Sequence, residues 1–330
     1  MLVVKNYKDW SVNGVEYQKG SIVGVNLGGK HSSLELIFTP AKNQAFEDIY
    51  FTKQKVLIML LEDMITKAVA FEKVGKVWVK NHIESPSHAV LRILSTSHLS
   101  DEAIVLYLGF LTPTSLYFID TAKGSYRLRE KEPDAFDTSQ FEYKVAFAEG
   151  DDGVKIPYQI VSPKKLDLNK RYPVIIYVYG AYGNLRTAWY RGDIGTEWLS
   201  KGGIFVVANA RGGGEYGEKW HQAAIRMTKH KTTDDVATVA KALVKRNITT
   251  PKVIGVYGSS AGATTSCSVL TEYPELINAA VCKSGTTDMP NHTKFGGSFW
   301  IPEYWDPNNS EEAAYLLKHS PYHLIEQDKD

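Results

Sequence analysis

Hydrophobic and polar positions change rhythm near residue 140. Before it, apolar segments are short and rich in β-branched and aromatic residues. They are Leu34–Phe38, Asp48–Phe51, Lys55–Leu61, Lys67–Glu72, Ala103–Leu108 and Ser115–Asp120. Turn residues such as Gly28-Gly29, Gly75-Lys76 and Lys123-Gly124 separate them. Strands at this spacing predict an all-β sheet assembly over residues 1–140. No clean repeat motif fixes its architecture by pattern.

After residue 140, strand and helix patterns alternate. Tyr143–Ala148 and Ile156–Ser162 predict a hairpin around Asp151-Asp152-Gly153, where glycine takes the left-handed turn position. Val174–Tyr179, Ile204–Asn209, Val253–Tyr257 and Ala279–Lys283 are apolar runs of buried-strand type. Glu197–Lys201 fits a helix end, stopped by Gly202-Gly203. Thr232–Asn247 places Val236, Val239, Ala240, Leu243 and Val244 three and four residues apart, the spacing of one helix face. Ala261–Thr271 predicts another helix. This alternation implies a largely parallel sheet covered on both faces over residues 141–330.

The length of 330 residues favours two domains. The 38 Lys and Arg against 37 Asp and Glu leave a formal net charge of +1. No global field therefore favours nucleic acid or an anionic membrane. The longest apolar run, Val56–Leu61, falls far short of the ~20 residues that span a bilayer. Met1–Asn6 turns polar after three apolar residues, unlike a signal peptide. The expectation is a soluble, cytoplasmic protein. Cys267 and Cys282 have no metal-type spacing and read as small buried apolar residues rather than a disulfide framework. No metal or organic cofactor site is evident.

The chemistry lies in Gly258-Ser259-Ser260-Ala261-Gly262, between the strand Val253–Tyr257 and a helix. A nucleophile on a sharp strand-to-helix turn holds strained backbone angles. Small residues two before and two after it keep the neighbouring backbones clear. The turn sets Ser260 Oγ at a helix N-terminus, where amide N–H groups stabilise a developing anion. Tyr177-Val178-Tyr179-Gly180-Ala181-Tyr182-Gly183 follows another strand and offers a second donor, the Tyr179 hydroxyl. A third stretch, Asn209–His221, has four glycines but no phosphate-loop spacing. His221 precedes the serine, against the order Ser, acid, His, and is expected to be structural.

Together these pieces resemble the prolyl oligopeptidase family of serine peptidases. The likeness is closest over Val206–Trp220. It continues through Thr250-Pro251-Lys252 and the nucleophile turn to Ser320-Pro321-Tyr322. Phe136–Glu142 and Asp152–Pro157 look like the family's crossing from propeller to hydrolase domain. The resemblance implies an α/β hydrolase preceded by a β-propeller remnant of about three blades over residues 1–140. It implies Ser260 as nucleophile and the Ala261 N–H with the Tyr179 hydroxyl as oxyanion hole. Trp300 would stack on the substrate's proline ring, with Tyr304 and Tyr182 lining the same pocket. Ser259, Ala263 and Ala181 stand where the family usually has glycine.

The resemblance also places the family's acid and histidine beyond the last residue of this sequence. Asp288, Glu303, Asp306, His292, His319 and His323 are the nearby candidates to replace them. His319 and His323 lie in a segment that matches a structural part of the family, so a locally rebuilt triad is not expected. Three readings remain open. One is an oligopeptidase for short proline-containing peptides, completed by a companion chain that carries the missing Asp and His. The second is a non-catalytic, peptidase-like binding protein. The third is an esterase-type hydrolase, which Arg211–Trp220 and Trp300 argue against.

Overall fold

The computed structural model describes residues 1–28, 33–41, 43–62, 64–83 and 90–325. Gly29 of the expected Gly28-Gly29 turn lies outside them. Two compact units form: residues 1–107 with 115–131, and residues 108–114 with 132–330.

The first unit is all β. Ile22–Asn26 pairs with Leu2–Lys5 on one side and Ser33–Phe38 on the other. Two four-stranded sheets follow in simple chain order. One runs Gln44–Phe51, Lys55–Glu62, Ile65–Val74, Val77–Ile83, and the other Val90–Thr96, Glu102–Leu108, Ser115–Asp120, Ser125–Lys131. Lys55–Glu62 shows why its sequence does not alternate. Leu57 and Met59 pack toward Leu91, Ile93 and Val105, while Val56, Ile58 and Leu60 pack toward Ile22 and Ile37. Both faces of the strand are covered, so both residue sets are apolar. Asp101 ties the two four-stranded sheets, accepting from Thr52 Oγ1 at 2.8 Å and from the Gln54 N–H at 3.0 Å.

The second unit is a six-stranded mixed sheet. Its order is Phe141–Glu149, Lys155–Pro163, Ile204–Ala208, Val174–Val178, Ile254–Ser259, Ala279–Lys283. The first two strands are the expected hairpin, and Gly153 turns it at φ +75°. That hairpin joins the sheet antiparallel; the remaining pairs are parallel. Helix His230–Lys245 covers one face with Val236, Val239, Ala240 and Leu243, which reach no solvent. On the other face Tyr177 meets Trp189 at 5.3 Å and Tyr257 at 5.5 Å between ring centroids. This is an α/β-hydrolase sheet, and the first unit is all β. Among the described residues no helix is long and apolar enough to cross a membrane.

One expectation is corrected. Cys267 and Cys282 form a disulfide between helix Ala261–Glu272 and the strand Ala279–Lys283. The helix packs directly on that strand, which brings two residues 15 apart in sequence to a Cα separation of 5.9 Å.

The glycine-rich stretch is anchored by charge. Arg211 is buried and bridges Asp235, also buried, and the more exposed Asp152 of the hairpin turn. Asp235 also accepts from the Arg211 backbone N–H at 2.8 Å. Removing Asp235 strands a buried guanidinium, whereas removing Asp152 exposes one side of it to water. Asp235→Ala is expected to cost about 3–5 kcal/mol. Asp152→Ala should cost less than about 1 kcal/mol. Urea unfolding followed by circular dichroism measures both, and equal losses would refute the assignment.

Candidate active site

Ser260 stands between the strand Ile254–Ser259 and the helix Ala261–Glu272. Its backbone has φ 55° and ψ −126°, a region that costs a non-glycine residue about 1–3 kcal/mol. The surroundings impose it. The Ser260 N–H donates to the Lys283 carbonyl and the Ala263 N–H donates to the Ser260 carbonyl, both at 2.9 Å. A β-carbon on Gly258 would sit 1.9 Å from the Gly262 oxygen, and one on Gly262 would sit 2.3 Å from the Val178 oxygen. Ala263 replaces a glycine without harm because Gly285 faces it: a β-carbon there would lie 2.4 Å from Ala263 Cβ. The Ser260 side chain is exposed. Ala261 is the first residue of its helix, so its N–H has no intrahelical acceptor and is available to an oxyanion.

Tyr179 leaves the end of the neighbouring strand Val174–Val178. Gly262 reaches that strand end, and its absent β-carbon would fall 3.0 Å from Tyr179 Cα. The Arg186 guanidinium covers the Tyr179 ring at 3.9 Å. The turn continues through Gly180 at φ +59° and Gly183 at φ +62°. Ala181 is fully buried and packs in one cluster with Ala261, Met289, Tyr304 and Leu316. Tyr179, Tyr182, Trp300 and Trp305 border that cluster. Trp300 and Tyr304 lie nearly parallel at 5.3 Å and 28°, and Tyr182 meets Trp300 edge-on at 6.4 Å and 88°. Trp300 and Tyr182 are half-buried. Tyr304 is buried and backs them rather than facing solvent. The chain thus brings Ser260, Ala261, Tyr179, Tyr182, Trp300 and Tyr304 to one place.

Residues 191–330 match the prolyl oligopeptidase family profile. The peptidase y4nA of Sinorhizobium fredii is 30% identical over 324 residues, covering 96% of this chain and 45% of the relative. A prolyl endopeptidase of Elizabethkingia meningoseptica is 27% identical, covering 80% of this chain and 37% of its own. The structure of a post-proline cleaving enzyme from Rickettsia typhi superposes with a TM-score of 0.89 at 26% identity. That likeness covers 98% of this chain and 48% of the neighbour. Residues 191–330 of this chain belong to the prolyl oligopeptidase family. The chain spans less than half the length of these relatives.

Family membership directs attention to the base of Ser260. His221 meets Glu303 at 2.8 Å, and His230 meets the Tyr315 hydroxyl at 3.0 Å. His292 faces the Trp305 carbonyl at 2.8 Å, His319 faces Glu272 at 3.4 Å, and His323 faces Ser320 Oγ at 2.9 Å. Among the described residues, no imidazole hydrogen-bonds Ser260. Asp288 lies 3.9 Å from His323, and Glu303 is occupied by His221 and Lys229. The local acids and histidines therefore make pairs of their own rather than a triad on Ser260.

Sequence reading missed two features of this prolyl oligopeptidase-family site. The exposed Phe299 stacks on Tyr182 at 5.4 Å and 19°. Its place beside Trp300 was the available signal. Lys229 carries no local signal at all. Its ammonium donates to Glu303 at 2.6 Å and to the Gly180 carbonyl at 2.7 Å. Burial pulls the Lys229 amine below the usual lysine value. Burial also works to raise the Glu303 carboxyl, but His221 and Lys229 outweigh it and hold the group below its usual value.

The strained turn makes an unusual stability prediction. Glycine adopts the Ser260 backbone without strain, so Ser260→Gly should be more stable than Ser260→Ala by about 1 kcal/mol. That ordering reverses the usual one and is read from paired urea midpoints. In contrast, Gly258→Ala should lose about 3 kcal/mol or more, because backbone atoms cannot move aside.

Proposed function

We propose that this chain carries the nucleophile half of a serine oligopeptidase that cleaves short peptides after proline. The observation that carries it is the exposed Ser260 on its strained turn, beside the wall made by Trp300 and Tyr182. Ser260 Oγ loses its proton to a base and attacks the scissile carbonyl; the C–N bond breaks, the amine leaves carrying that proton, and water then hydrolyses the acyl-enzyme ester. The Ala261 N–H and the Tyr179 hydroxyl stabilise the oxyanion that develops. A flat aromatic face suits proline, whose ring is apolar and rigid. Relatives named as prolyl endopeptidases and post-proline cleaving enzymes support this choice of substrate. A companion chain supplies the base and its acid on this reading. The all-β part contributes about three propeller blades up to residue 140.

A second reading is a non-catalytic peptide-binding protein. It is supported by the five occupied imidazoles described above, none of which reaches Ser260.

Labelling with a fluorophosphonate separates the two readings. The first expects Ser260 to be labelled, Ser260→Ala to be silent, and Trp300→Ala to weaken proline-peptide cleavage by ~2–4 kcal/mol in kcat/KM. No labelling, even with candidate partner chains added, would leave only the binding reading. If a simple ester is cleaved in preference to a proline peptide, the chain is an esterase-type hydrolase instead.

A further inference from the structure

Behind the aromatic wall lies a cluster of three ionisable residues, His221 and Lys229 from one segment and Glu303 from another. The Glu303 side chain is 2% exposed and that of Lys229 10%. Glu303 Oε1 accepts from Lys229 Nζ at 2.6 Å, and Oε2 lies 2.8 Å from His221 Nε2. Lys229 spends its remaining protons on backbone, the Gly180 carbonyl at 2.7 Å and the Ala224 carbonyl at 3.4 Å. The His221 ring covers the other end of the same turn. A β-carbon on Gly183 would lie 3.5 Å from it. Glu303 itself sits in helix Ile301–Tyr304, next to Tyr304 and three residues after Trp300.

The cluster thus touches both halves of the site. One half is the turn Tyr179–Gly183, which carries the oxyanion donor. The other is the segment Trp300–Tyr304, which carries the aromatic wall. We propose that Glu303 is a positioning residue: through Lys229 and His221 it sets the spacing between the oxyanion turn and the proline-binding wall. The inference rests on the reading of Ser260 and Trp300 given above.

Stability alone is a poor reason for such a cluster. Apolar side chains of similar volume commonly stabilise a core as well as a buried ion pair does. Short directional bonds instead fix distance and angle, which packing leaves looser. Two elements that must hold one substrate between them need that definition.

The test uses the full chain and does not depend on turnover. Lys229→Met/Glu303→Leu removes both charges while keeping volume. Its urea midpoint and the exchange protection of hairpin 141–163 should match the unaltered chain. Hydrogen-exchange mass spectrometry should show segments 179–183 and 299–305 exchanging about tenfold faster, both together. If the variant folds and either segment exchanges as before, the proposal is overturned. If the double variant does not fold, Glu303→Gln is used, and loosening confined to one segment overturns the proposal equally. Fluorophosphonate adds an independent arm. Labelling of Ser260 about tenfold slower in the variant supports the positioning role, and an unchanged rate overturns it. An unlabelled parent chain with coupled loosening in exchange supports the positioning role and counts against the enzymatic reading.

Discussion

The carbonyl oxygen of Val178 occupies the space a β-carbon on Gly262 would need, 2.3 Å from it. That contact follows from one parallel ladder, in which Val178 stands opposite Gly258. Level strand ends let Tyr179 and Ser260 leave the sheet side by side. A larger residue at position 262 would push the nucleophile helix off the strand and carry the Ala261 N–H with it. Tyr179, Ser260 and the Ala261 N–H therefore depend on the same close approach, and the strain at Ser260 is the backbone's answer to it.

A second layer of order comes from buried polar groups around this contact. The stretch Asn209–His221 is irregular in backbone but not loosely held. Arg211 is locked to Asp235. Glu215 accepts from the Arg186 N–H and from Asn209, both at 3.1 Å, and burial pushes its carboxyl up to about 7. The Trp220 indole donates to the Ala210 carbonyl at 3.2 Å. Glycines give the chain freedom to turn, and these side chains take the freedom away again. The same logic recurs at Gly180, whose carbonyl is held by Lys229.

Features with a local cause were legible in the sequence. The strand Val174–Val178, the helix face through Val236 and Leu243 and the turn at Ser260 each carry their signal within a few residues. Trp300 and Tyr182 were placed through the family likeness, and in the structure they border the cluster that contains Ala261. Features made by long-range packing were not legible. The Cys267–Cys282 bridge depends on a helix lying against the next strand. The Lys229–Glu303 pair joins residues 74 apart, and neither looks unusual in its own segment. Tyr304 illustrates an intermediate case. It belongs to the aromatic group as expected, yet it is buried behind the wall, because its short helix turns it toward Ala181 and Leu316.

Preorganisation and activation are separable in this chain. The backbone of the nucleophile turn is held from residues 174–285, by the ladder to Val178, the Lys283 carbonyl and the gap at Gly285, while Ala261 packs further on against Met289, Tyr304 and Leu316. None of these contacts involves an imidazole. The turn's shape thus needs no base, and on the proposed reading a base would add nucleophilicity to a serine already aimed. The sheet continues the same division. Ala279–Lys283 is an outer strand with Val281 58% exposed, the side on which further pairing is open among the described residues. On the proposed reading, a base and acid delivered from beyond that edge would meet oxyanion donors and an aromatic wall already in place. Those groups are preassembled on that reading, while Ser260 needs a base that none of the five paired imidazoles supplies.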